Sequence, residues 1–473
     1  MTFEIMDYTK TNGILNHRIR FELPLNYSDS QDRREITIVA TLTQLYDEAK
    51  HGDTDLAAVL PLLKNAKVIA YLQGGPGFPC TVPFAKSSFA KPLLEKDYVI
   101  IYIDQRGTGL STPIEVGTLD VLVPRDSGTT DQDYAQQQME YLLHFRADSI
   151  VEDFESIRTM LLGEDLKWSI LGQSYGGFCS FTYLSTHAKS LKLVLITGGV
   201  PPINYGPDDV YKATYQRTKD RNVHYYNKYP GDVARVRDIL EYLDSNNVTL
   251  PNGGTLSVER FQLLGIDFGH SGGTDELHQT VLKFHYDLEL FGKPTYKTLY
   301  NIQNASSFDT NIIYALFQEA IYLDGNNKAV LQSNWSAERL RATETNYVFK
   351  KDADGPIYFT GEMVYKSMFD DYTELKPLKT LAHLLHKNEH WSPLYDVNTL
   401  EKLKFTDVPI VAATYYNDQY VDFDLTNKVK QQVFKGNGNL RQYITSNQFH
   451  DGLRLDSECV VGALLRLLES EVD

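Results

Sequence analysis

KWSILGQSYGG, residues 167–177, decides the reading of this chain. Its first half, Trp168 to Leu171, is an apolar run of the length a strand buried on both faces requires. Its second half holds Gly172-Gln173-Ser174-Tyr175-Gly176, a G-x-S-x-G turn, and a helix is expected from about Gly177. The two glycines are needed because a turn this tight leaves no room for side chains beside the serine, which is held in strained backbone and thrust outward. At the start of a helix the serine also meets the positive end of the helix dipole, which favours the negative charge that develops in acyl transfer. A glycine-rich turn can match the pattern by chance, and the strand before it and helix after it are what argue otherwise.

Working outward, the same design recurs. KVIAYLQGGPGFP (67–79), YVIIYIDQRGTG (98–109) and KLVLITGGVPP (192–202) are apolar runs ending in glycine-rich turns, and residues 134–162 have helical spacing. Strands alternating with helices predict a buried parallel sheet, with ligands bound at the strands' C-terminal ends. HRIRFELPL (17–25) and REITIVATL (34–42) alternate with period two and read as an antiparallel edge. From 205 to 375 the sequence turns Tyr-rich, charged and helix-prone; the sheet resumes with DVPIVAATYYND (407–418) and closes with LRQYITS (440–446). The expectation is an α/β-hydrolase fold, a mostly parallel central sheet flanked by helices. Residues 1–204 and 376–473 would form the catalytic domain and 205–375 an inserted, mainly helical cap.

A serine hydroxyl needs a base, and in this fold the base and its orienting acid follow the serine in the order Ser, Asp/Glu, His. Asp418 comes just after the apolar strand VPIVAATYY (408–416) and His450 lies in the loop after QYITS, the last expected strand, both at the edge where Ser174 stands. Asp422 and Asp424 compete for the acid's role, but both sit further from the strand end, where a carboxylate can cap the next helix. The run Gln73-Gly74-Gly75-Pro76-Gly77 resembles the loop that supplies one backbone N–H of an oxyanion hole; Gly75 is the candidate, with Tyr175 as the second donor. Asp104 and Arg106 follow a buried strand, where such a pair more often braces the turn than touches substrate.

The 46 Lys+Arg against 62 Asp+Glu give a net charge of −16, with no basic cluster that could track a phosphate backbone, so nucleic acid is excluded as a partner. No run approaches the roughly 18 apolar residues of a membrane span, and the first residues have no signal-peptide pattern. Three well-separated cysteines, Cys80, Cys179 and Cys459, fit neither a metal site nor a disulfide framework, and point to a reducing, cytoplasmic setting. Neither a metal nor an organic cofactor is expected.

Taken in order, GGPG, DQRGTGLST (104–112), GQSYGG and a late Asp and His resemble the proline iminopeptidase (prolyl aminopeptidase) family, over about 67–200 and again from 407 to the end. IYALFQEAIYLDG (313–325) and YFTGEMVYKSMF (358–369) are similar to the larger, capped bacterial and fungal members. Many members have His where this chain has Gln73, a change that a backbone oxyanion contact tolerates. The resemblance implies a serine aminopeptidase acting on small peptides with N-terminal proline. It points to Glu319 first, and Glu362 second, as carboxylates gripping the substrate's amine, with Tyr314, Phe317 and Tyr322 as candidate walls for the proline ring. The plainer readings are solvated helix-face glutamates and ordinary core aromatics. Two rival functions remain open: a related esterase, amidase or aminopeptidase of other specificity, since fold does not fix substrate, and a non-catalytic binding protein of the same fold.

Overall fold

A computed structural model describes residues 2–51, 56–435 and 438–470. Nine strands form one sheet: β1 (Thr2–Thr11), β2 (Ile14–Pro24), β3 (Glu35–Leu45), β4 (Lys67–Leu72), β5 (Tyr98–Ile103), β6 (Trp168–Gln173), β7 (Leu191–Thr197), β8 (Ile410–Tyr415) and β9 (Leu440–Thr445). Their order is β1-β2-β3-β5-β4-β6-β7-β8-β9. The first three strands and the β3–β5 join are antiparallel, and every pair from β5 to β9 is parallel.

Period-two burial explains the two faces. Ile69, Tyr71, Ile100, Tyr102, Leu171, Leu195 and Val411 point one way and pack under the helix Ser457–Glu469 through Val460, Val461 and Leu464. Val68, Ala70, Ile101, Ile170, Val194 and Ile196 point the other way, toward the helices Ala147–Leu162 and Tyr175–His187. Burying each such aliphatic side chain contributes about 1.5–3 kcal/mol, which is why these strands read as unbroken apolar runs.

The DQRG turn is a brace, as its position after a buried strand suggests. Asp104 accepts from the backbone N–H of Cys80 at 2.8 Å and of Leu110 at 3.0 Å. Arg106, fully buried, donates twice to Asp153, at 2.7 and 2.6 Å, and to the carbonyls of Leu25 and His144. Removing one partner of such a pair costs about 3–5 kcal/mol because the other charge is left stranded.

Among the described residues no strand of the sheet lies between Thr197 and Ile410. Helices fill that interval, including Pro207–Lys228, Asp232–Ser245, Gly273–Phe291, Ser336–Arg341 and Lys379–Lys387. Helical structure thus continues past residue 375, and Lys379–Lys387 packs on the helix Asp131–Leu142 beside the sheet. Among the described residues no helix is long and apolar enough to cross a membrane.

Candidate active site

Ser174 follows β6 directly and caps the helix Tyr175–His187 with φ 55° and ψ −125°, a region that non-glycine residues rarely enter. The turn is locked from behind: Ser174 N–H donates to the carbonyl of Thr197 at 3.0 Å, across the β6–β7 pair. A Cβ on Gly176 would run into the carbonyl of Leu72 at the end of β4, so the close packing of the helix start on that strand requires glycine there.

Asp418 lies in the turn after β8 and is fully buried. Its Oδ1 accepts the backbone N–H groups of Tyr420 at 2.8 Å and Val421 at 3.0 Å, which fixes the carboxylate plane. Its Oδ2 is 2.7 Å from His450 Nδ1, in the loop after β9. With Nδ1–H donating to the carboxylate, Nε2 is left with a free lone pair, the tautomer a general base needs. Burial pushes the His450 imidazole down, but the Asp418 charge and hydrogen bond, aided by Glu362, outweigh it and hold the pKa above the ordinary histidine value. Asp422 and Asp424 are occupied elsewhere. Asp422 caps the helix Phe423–Val433 by accepting from Leu425 N–H, and both pair with Arg217.

Ser174 and His450 border one cavity of about 180 Å³, together with Gly74, Gly75, Tyr314 and Glu362. Gly75 therefore lies where its backbone can meet a group bound at Ser174. Tyr175, as the first helical residue, carries an N–H that has no partner within its helix. Its side chain turns away into a separate recess with Phe317.

The two candidate glutamates are treated differently. Glu362 borders the cavity, is partly buried and has the Tyr314 hydroxyl as a donor at 2.5 Å. Burial pushes its carboxyl up to about 7, against the Tyr314 hydrogen bond and the positive field of His450. Glu319 does not border the cavity. Its Oε2 and Oε1 accept the N–H groups of Ser336 and Ala337 at 3.0 and 2.9 Å, where they open the helix Ser336–Arg341. His386 Nδ1 stands 3.0 Å from the same carboxylate. Burial pushes Glu319 up, yet the His386 charge and these hydrogen bonds prevail and hold it below the usual glutamate value. The expectation that Glu319 leads in amine binding thus meets a carboxylate already saturated by its own fold. Of the three candidate ring walls, Tyr314 borders the cavity; Phe317 lines the neighbouring recess, and Tyr322 packs on Phe178 and Tyr211. Cys179 is fully buried, and burial pushes its thiol up, so it is core.

Sequence reasoning missed Phe78, Ile266, Tyr420 and Arg454, which also line the cavity. Tyr420 stands edge-on to His450, ring centres 4.8 Å apart, and its hydroxyl donates to the carbonyl of Ile266. Gly269 takes the His450 N–H at 3.2 Å and Gly265 takes Gln419 Nε2 at 2.8 Å, so the 265–269 segment clamps both loops that carry the Asp–His pair. Tyr420 could have been flagged from its place two residues after Asp418.

The sheet order, the strained serine after β6 and the Asp–His pair beyond β8 and β9 define an α/β-hydrolase, and a family model described as the alpha/beta hydrolase fold matches residues 67–242. A proline iminopeptidase of Aeromonas sobria is 39% identical over 447 residues, covering 94% of this chain and 95% of that one. The proline iminopeptidase aneH of Aspergillus aculeatus is 35% identical over 458 residues, covering 96% and 94%. The chain belongs to the proline iminopeptidase family.

Proposed function

We propose that the protein is a serine aminopeptidase that releases proline from the N-terminus of peptides, with Ser174 as nucleophile, His450 as general base and acid, and Asp418 as its orienting carboxylate. One observation carries the reading: a partly buried carboxylate, Glu362, shares a cavity of about 180 Å³ with Ser174 and His450. An ammonium group entering beside Glu362 replaces its lost hydration and draws it into the charged form; an N-acylated substrate offers no such charge. Glu319 has the role of a structural cap in this reading, and the helical region 205–375 acts as the cap over a catalytic part formed by 1–204 and 376–473.

With the amine on Glu362 and the proline ring against Tyr314, the first peptide carbonyl lies beside Ser174. The Oγ attacks as His450 Nε2 takes its proton, and Asp418 stabilises the imidazolium. The N–H groups of Gly75 and Tyr175 receive the oxyanion; one such donor is worth about 10²–10³ in rate. His450 then protonates the leaving amine, and water activated by the same imidazole hydrolyses the prolyl ester. These steps need no metal or organic cofactor. The free state of Cys80, Cys179 and Cys459 suits a reducing compartment such as the cytoplasm.

The test compares proline-β-naphthylamide, N-acetyl-proline-β-naphthylamide and a short-chain ester, with Ser174→Ala as the blank. Cleavage of the free-amine substrate alone, abolished in Ser174→Ala, is the expected result. Equal cleavage of the acetylated compound would remove amine recognition and leave only a general serine hydrolase.

A further inference from the structure

The cavity at Ser174 adjoins a second recess of about 400 Å³, and the two share Gln73, Phe78 and Arg454 as lining residues. The wall of this recess is aromatic. Tyr71 of β4 lies 4.6 Å from Phe89 and 5.7 Å from Tyr102 of β5, and all three rings are less than a tenth exposed. Arg454 stands at the junction, exposed, on the short helix Gly452–Leu455 that follows His450. Its guanidinium faces the Tyr71 hydroxyl, and among the described residues it has no carboxylate within ion-pair distance, in a chain whose net charge is −16.

The pattern has a chemical meaning once the scissile bond is fixed at Ser174. Consecutive Cα atoms are about 3.8 Å apart, so the residue that leaves must lie within one such step of the proline. A dipeptide carries its ammonium on one side of that bond and its carboxylate on the other, and the cavity is bordered by one acid, Glu362, and by Arg454, a cation that has no carboxylate partner among the described residues. A planar guanidinium matches a carboxylate with two parallel hydrogen bonds, which an amide cannot reproduce.

Building on the aminopeptidase reading, we propose that this recess is the leaving-side subsite, in which Arg454 pairs with the free carboxylate of a dipeptide while the second residue's apolar side chain lies on the Tyr71–Phe89–Tyr102 wall. The protein is accordingly tuned to prolyl dipeptides with an apolar second residue.

The test measures kcat/KM for Pro-Leu, Pro-Leu-amide and Pro-Glu-amide with the wild type, Arg454→Met and Arg454→Lys, and reads the ratio of Pro-Leu to Pro-Leu-amide. The wild-type ratio is expected at about tenfold, because the pair is half in solvent and worth less than a buried one. In Arg454→Met it falls to about one, and Arg454→Lys restores part of it. Pro-Glu-amide, whose carboxylate sits on the side chain and would lie against the aromatic wall, is cut more slowly than Pro-Leu-amide. A wild-type ratio near one, an unchanged ratio in Arg454→Met, or Pro-Glu-amide cut as fast as Pro-Leu would each overturn the subsite. Failure to cut any of these peptides or proline-β-naphthylamide would instead overturn the aminopeptidase reading beneath it.

Discussion

Glu319, buried, and Glu362, partly buried, both lie in the helical stretch between β7 and β8, yet their surroundings drive them in opposite directions. Two backbone N–H groups and His386 converge on Glu319 and hold its carboxyl low. Glu362 has the Tyr314 hydroxyl and the open side of the cavity, and burial pushes it up to about 7. The difference separates two uses of a buried charge. A carboxylate whose lone pairs are filled by its own chain contributes to the fold; one left short of partners beside a nucleophile is available to a ligand that brings the missing charge.

The comparison breaks most visibly if Glu319 is removed. Glu319→Ala strands the N–H groups of Ser336 and Ala337 and the His386 imidazole in a dry site, and a loss of about 3–5 kcal/mol of stability is expected in urea unfolding. The fraction that stays folded should keep the KM for proline-β-naphthylamide. A raised KM with unchanged stability would hand Glu319 the ligand's role after all. Glu362→Gln should do the reverse, lowering kcat/KM for the same substrate by about 10²–10³, as expected when one member of a buried charge pair is neutralised. Cleavage of a short-chain ester by the same variant, if the wild type has any, should fall far less.

Titration sharpens the contrast further. Glu362 binds its proton more tightly folded than unfolded, so its effect on stability is favourable below about 4.5 and is lost as pH rises toward 7. A displacement from 4.5 to about 7 corresponds to roughly 3 kcal/mol. Glu319 is depressed, so its contribution is present at neutral pH and lost in acid as pH falls through its folded value. The Tm of Glu362→Gln relative to wild type should therefore climb between pH 4.5 and 8, whereas that of Glu319→Ala should lie furthest below wild type at neutral pH and approach it in acid. Parallel Tm curves for the two variants would erase the distinction.

These contrasts were only half legible in the sequence. The nucleophile turn can be read because its requirements are local: an apolar strand, two glycines forced by close contacts of Gly172 with Gly176 and Ser180 and of Gly176 with Leu72, and a helix immediately after. Asp418 and His450 follow from chain order and from their places past β8 and β9. The glutamates do not, because what decides each one is a partner from elsewhere in the chain, Ser336 at 17 residues for Glu319 and Tyr314 at 48 for Glu362. Arg454 and Ile266 likewise enter the cavity by tertiary packing and leave no mark in local spacing. Strand β1 escaped the reading for another reason. Phe3, Ile5 and Tyr8 are 38%, 39% and 51% exposed, so neither face of this edge strand imprints a burial period.

The smallest effect isolates the Glu362 side of the comparison by a single hydroxyl. Tyr314→Phe removes the larger of the hydrogen bonds that favour the ionised carboxylate, while the ring contacts with Phe78 and Phe308 stay available. The carboxyl should then titrate above about 7, and stability should change by about 1 kcal/mol or less. Because kcat/KM reports ionisations of the free enzyme, its acid limb should move to higher pH in this variant. His450 contributes to the same limb, since it must be neutral to act as base, and Glu362 is one of the charges that holds its pKa up. Glu362→Gln therefore provides the control: it should leave a single ionisation, at lower pH than in the wild type. Opposite displacements of the limb in Tyr314→Phe and Glu362→Gln would tie the acid limb to this one pair; displacements in the same direction would mean that the carboxylate takes no part in binding the amine.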